Sequence, residues 1–146
     1  MLELFFFILG VVNSVFLIFI FAIRKRRLDL VRRIGWAYLL LSIPAACGLY
    51  LVVQEQKAFQ YAVFLWIFLA YLLLEWLLDH VFKINFRDNW RRNWKWLVPY
   101  LGLYYAMNYG FVVMPWSTSL TWGLIMLALF IVQLAANLTS HPRIKR

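Results

Sequence analysis

The stretch Leu72-Leu-Leu-Glu-Trp-Leu-Leu-Asp-His80 places three ionisable side chains, Glu75, Asp79 and His80, in or at the end of an otherwise apolar run. Extended from about Tyr61 to Phe82, the run reaches the roughly 20 residues that cross a bilayer as a helix. An ionisable group inside hydrocarbon costs of order 3 kcal/mol on insertion scales, so it usually has a partner or a task. Composition decides which solvent surrounds this run. The 146 residues are 65% hydrophobic and 14% charged, with 8 Trp, 8 Tyr and 13 Phe. Soluble domains run at about 45–50% apolar and about 25% charged. A soluble core of this size could not hide so much apolar surface, so the expectation is an all-α integral membrane protein with lipid as its solvent.

Outward from the Glu75 run, four further spans are expected. The first covers about 4–23, with Asn13 and Ser14 near its middle, where polar groups are expected to hydrogen-bond a neighbouring helix. The start, Met-Leu-Glu-Leu-Phe, lacks the basic n-region of a cleaved signal peptide and reads as a retained span. The second covers about 34–53. Trp36 and Tyr38 suit an interfacial belt, Pro44 predicts a kink, and Ser42, Ala45, Ala46 and Gly48 would let another helix approach closely. The third is the opening run, 61–82. The fourth covers about 96–114, with Pro99 expected in its first turn, a polar second half (Tyr104, Tyr105, Asn108, Tyr109) and Pro115 expected to close it. The fifth covers about 120–138, with Ser117, Thr118 and Ser119 as N-cap candidates and Gln133 and Asn137 near its end. The whole chain, 1–146, reads as one bundle of five transmembrane helices, too short for two domains.

Between the third and fourth spans, Phe86, Trp90 and Trp94 fall at i, i+4 and i+8, and Arg87, Arg91 and Lys95 form a second row. That pattern predicts a short in-plane amphipathic helix, rings in the acyl boundary and cations toward phosphates. Arg87, Arg91, Arg92 and Lys95 are therefore the candidate lipid-headgroup residues.

Charge sets the threading. Of the 15 Lys and Arg residues, six lie from Arg24 to Arg33, five from Lys83 to Lys95, three in the tail, and Lys57 alone lies on the other side. Basic loops stay in the cytoplasm, so the N-terminus is expected outside and the C-terminus inside. The net charge of +9 suits anionic lipid headgroups and not nucleic acid, because it sits between hydrophobic spans.

With that threading, depths can be compared. Glu75 lies about 10 Å from the inner end of span three and Gln133 about 8 Å from that of span five. Glu75 with Asp79, and Gln133 with Asn137, share faces at i, i+4. Were the two spans neighbours, two carboxylates would face two amides in matched layers. Two carboxylates one turn apart repel when both ionise, and sharing a proton relieves this, as a proton relay requires and as a plain structural pair would also show. Lys83, at i+4 from Asp79, offers it an interfacial ion pair instead. Glu75, Asp79, Asn108, Gln133 and Asn137 are thus the candidate proton- or ion-handling residues.

No cofactor is predicted. His80 and His141 could in principle hold a haem, and Glu75, Asp79 and His80 a divalent cation, with His80 the candidate metal ligand. Neither has supporting spacing. Cys47 is the single cysteine, which excludes an intrachain disulfide and a cysteine metal cluster. No GxSxG, Walker or GxGxxG motif occurs, and no catalytic residue is predicted. In size, span number and tryptophan content the chain resembles the tryptophan-rich sensory protein family; the likeness is compositional, and no ligand site is carried over. The function expected is non-enzymatic: a small transporter or channel protomer, working as a homo-oligomer, or a subunit of a larger membrane complex. The alternative is a protein that binds a lipid or hydrophobic ligand, or modifies a lipid, at the cytoplasmic leaflet.

Overall fold

The computed structural model describes residues 1–24, 28–82 and 93–140. Among them the chain is helical: α1 (Leu2–Arg24), α2 (Leu28–Leu39), α3 (Ser42–Gln54), α4 (Phe59–Trp76) continuing into a π-helical turn (Leu77–Val81), α5 (Trp94–Thr118) and α6 (Leu120–Ser140). The in-plane helix expected around Arg87, Arg91 and Arg92 lies outside the described residues. Four helical stretches are long and apolar enough to cross a membrane: Leu2–Arg24, Arg33–Gln54, Phe59–Val81 and Leu120–Ser140. They coincide with four of the five expected spans. The fifth, α5, has 25 residues but carries Lys95, four tyrosines and Asn108, and is too polar to join that set.

The helices form two compact units. The first holds Glu3–Leu41 and Phe111–Arg146; the second holds Leu2 and Ser42–Gly110. In the first unit α1 buries Phe6, Leu9, Asn13, Leu17 and Phe21, a stripe at three- and four-residue spacing. Phe6 meets Phe111 with ring centroids 5.1 Å apart, and Phe7 stacks on Trp122 at 4.8 Å. Gly10 lets α5 and α6 close in: a Cβ there would sit 2.8 Å from the Phe111 ring and 2.9 Å from Met126 Cε. The hydrogen bond expected of Asn13 is present. Tyr38 Oη of α2 donates to Asn13 Oδ1 at 2.8 Å. Tyr38 is therefore core, 1% exposed, and not a belt residue, because Asn13 supplies its hydroxyl with the acceptor that an interface would otherwise provide. Trp36 is 58% exposed.

In the second unit α3 packs on α4. Ala45 and Gly48 of α3 face inward, as small residues permit, whereas Ala46 is exposed. α3 ends in a Schellman turn. Lys57 N–H donates to Val52 O (3.2 Å) and Gln56 N–H to Val53 O (3.4 Å), with Gln56 at φ 46° where glycine is usual. Leu2 donates its N–H to Glu55 Oε2 at 3.2 Å.

Five local expectations change. The break foreseen at Pro44 falls at Leu40–Leu41, since the proline ring clashes with the carbonyl four residues back; Leu40 and Leu41 close i→i−3 bonds to Ala37 and Tyr38 instead. α2 reaches back to Leu28, into the presumed first loop, because Leu, Val and Arg sustain a helix and no Gly or Pro interrupts them before Gly35. α5 begins at Trp94, with Trp96 and Leu97 N–H bonded to the Asn93 carbonyl, so Pro99 lies beyond the first turn. At its other end Pro115 does not close the helix, which runs on to Thr118. Ser117 and Thr118 hydroxyls bond back to Met114 O at 2.7 and 3.4 Å in this last turn. Ser119 alone takes the cap position of α6, its carbonyl receiving the Gly123 N–H at 3.0 Å.

Candidate functional site

α4 and α5 run antiparallel within the second unit, and three contacts mark their register. Phe64 faces Tyr109 (centroids 6.1 Å) and lies where a Cβ on Gly110 would fall. Two turns along α4, Tyr71 meets Tyr100 (5.4 Å) and Tyr104 (6.1 Å). Phe82, beyond the π turn, meets Trp96 at 6.0 Å. From the first rung to the last, α4 advances by about 27 Å, close to the roughly 30 Å of a bilayer core.

The inward face of α4 carries Tyr61, Leu65, Phe68, Tyr71, Leu72 and, in the π turn, Leu78. Glu75 follows Tyr71 by four residues, hence on the same face, between the Tyr71 and Phe82 rungs. It is half-buried, and its Oε2 atom is fully buried. Asp79 shares that face by spacing but is exposed, so only one carboxylate of the pair is withdrawn from the surroundings. His80 is half-buried with its Nδ1 atom inside. Both Asp79 and His80 sit in the π turn, which Phe82 closes by donating its N–H to Leu77 O at 2.8 Å, an i→i−5 bond. The extra residue in that turn swings His80 toward the Glu75 side, which an α-helix would place farther round.

Tyr71, on Glu75's helix, and Tyr100 of α5 share a hydrogen bond between their hydroxyls, 2.9 Å apart and buried. Tyr71 and Tyr104 are almost fully enclosed, at 0% and 1% exposure. Asn108, one turn beyond Tyr104, is buried and donates its Nδ2 to the Tyr104 carbonyl at 2.8 Å. Its amide nitrogen is thus committed to its own helix. Tyr71 and Tyr100 escaped the sequence reading, although Tyr71 stands one turn before Glu75 and Tyr100, Tyr104 and Asn108 recur every four residues.

The remaining candidates belong to other stretches of the chain. Gln133 (0% exposed) and half-exposed Asn137 lie on α6 in the first unit, together with buried Ser140. Lys95 is exposed in the first turn of α5, open to a headgroup; Arg87, Arg91, Arg92 and His141 lie outside the described residues. Among the described residues no three His, Cys, Asp or Glu side chains gather to hold a metal ion; Asp79 is exposed, while Glu75 and His80 each bury one polar atom.

In comparison with known proteins, no family model matches the chain, and neither a curated protein nor a solved structure matches it.

Proposed function

We propose that the chain is an integral membrane protein of five spans, with its N-terminus outside and its C-terminus cytoplasmic, that acts without enzymatic chemistry as a transporter or channel protomer or as a subunit of a larger membrane complex. Burial within the protein takes up only 22–39% of the four apolar windows. Large apolar side chains cover the outside, Trp66 at 63% and Leu138 at 77% exposure among them. Water would make such a surface costly at about 25 cal/mol per Å², whereas lipid solvates it. α5, more polar, would then be the span that meets its partners mainly within the protein, and the basic residues of the cytoplasmic side would meet anionic lipid.

The observation that carries the functional reading is Glu75, a carboxylate with a buried oxygen on an apolar helix about seven residues from its inner end. A proton or cation is the cargo such a group handles. Five helices leave little room for a wide path, so the reading includes a homo-oligomer or a complex partner. The experiment is proton flux into liposomes holding the purified protein: flux that falls in Glu75→Gln supports the reading, and flux indifferent to it removes Glu75 from the mechanism. Purification in mild detergent with mass spectrometry separates protomer from subunit. A bound lipid, together with an activity lost in Asp79→Asn while folding is kept, would instead favour a lipid-handling site at the cytoplasmic leaflet.

A further inference from the structure

We infer that the cargo at Glu75 is a proton and that the Tyr71–Tyr100 hydroxyl pair is its next station, an inference that rests on the membrane-transport reading above. Four observations within one unit lead there. Glu75 and Tyr71 lie one turn apart on one face of α4. In a helix, side chains lean toward the N-terminus, so the Glu75 carboxylate reaches toward the Tyr71 turn. The Tyr71 and Tyr100 hydroxyls are already hydrogen-bonded at 2.9 Å, carrying the polar line from α4 onto α5. Around the pair, Tyr71 and Tyr104 are enclosed to 0% and 1% exposure, and among the described residues no three His, Cys, Asp or Glu side chains gather to hold a metal ion.

A phenol pair in such a place can pass a proton without holding a charge for long. The carboxyl O–H of protonated Glu75 breaks as its proton goes to the Tyr71 oxygen, directly or through one water. Tyr71 gives up its own hydroxyl proton to the Tyr100 oxygen, and Tyr100, 6% exposed, releases its original proton to a water molecule, which becomes hydronium. Rotation of both hydroxyls restores the starting arrangement, and no electrons change hands. Asp79, exposed in the π turn one helical turn nearer the inner end, is placed to load Glu75. Asp79, Glu75 and the tyrosine pair lie on a line of about 12 Å along α4.

The test uses the full-length protein in liposomes with an acid-inside gradient. Tyr71→Phe and Tyr100→Phe keep the rings and remove only the hydroxyls. Each is expected to lower proton flux at least about tenfold, roughly the effect of 1.4 kcal/mol on a barrier, with the double variant little worse than either single one because the pair acts as a unit. Thermal unfolding in detergent establishes that each variant is folded; should one fail to fold, the other decides. Flux that is lost in Glu75→Gln yet unchanged in the folded tyrosine variant overturns the hydroxyl relay and leaves the transport reading standing. Flux absent in the wild type, or indifferent to Glu75→Gln, overturns both.

Discussion

Gln56 holds a φ of 46° in the turn after α3, a conformation that an L-residue with a Cβ adopts at a cost of about 1–2 kcal/mol. Gln56→Gly should therefore raise stability by about 1 kcal/mol, read as a higher unfolding temperature in detergent, and an unchanged or lower midpoint would contradict the strain. Asn13 and Tyr38 give the opposite sign. Tyr38→Phe removes the 2.8 Å bond between α1 and α2 and leaves the buried Asn13 amide without that partner, for an expected loss of about 1 kcal/mol. This pair also shows what single residues disclose. Asn13 in mid-span was legible as needing a partner, because an amide has no other outlet in hydrocarbon. Tyr38 was not legible as that partner, because its apolar ring and polar tip suit a belt and a core equally, and only the fold chooses.

At the level of elements, α5 offers an internal comparison between its glycines. A Cβ at Gly110 falls on the Phe64 ring, whereas one at Gly102 meets nothing within 4 Å. Gly110→Ala should destabilise by about 1–3 kcal/mol through overpacking of α5 on α4. Gly102→Ala should be neutral or stabilise by up to about 1 kcal/mol, since only helix propensity changes. Equal effects from the two would argue against the α4–α5 register. Element existence was largely readable from apolar run length, and each expected span is helical, the second divided between α2 and α3. Element detail was readable only where one residue type acts alone. Pro44 announced a break, displaced to Leu40–Leu41 by the geometry of its ring clash. Pro115 misled, because a proline removes only its own N–H and one i→i−4 bond, and α5 runs on through it to Thr118. The π turn at Leu77–Val81 had no signal at all, since it depends on an i→i−5 bond that no residue type demands.

At the scale of the molecule, the candidate site was half legible. Glu75 stood out because an acid in an apolar run is conspicuous in any sequence. The Tyr71–Tyr100 bond was hidden because it joins residues 29 apart whose proximity follows from the pairing of α4 with α5. Threading belongs to this scale too. A tag inserted at 55–57 should react with impermeant reagents from outside intact cells, and one after Arg146 should be protected, as the distribution of basic residues requires. The reverse pattern would invert the orientation and with it the side from which Asp79 loads Glu75. The most direct test of the central claim is proton uptake by liposomes reconstituted at equal protein density with wild type, Glu75→Asp and Glu75→Gln. A carboxylate that handles the cargo predicts measurable uptake in the wild type, partial uptake in Glu75→Asp, and a loss of at least about tenfold in folded Glu75→Gln; equal uptake by all three would contradict it.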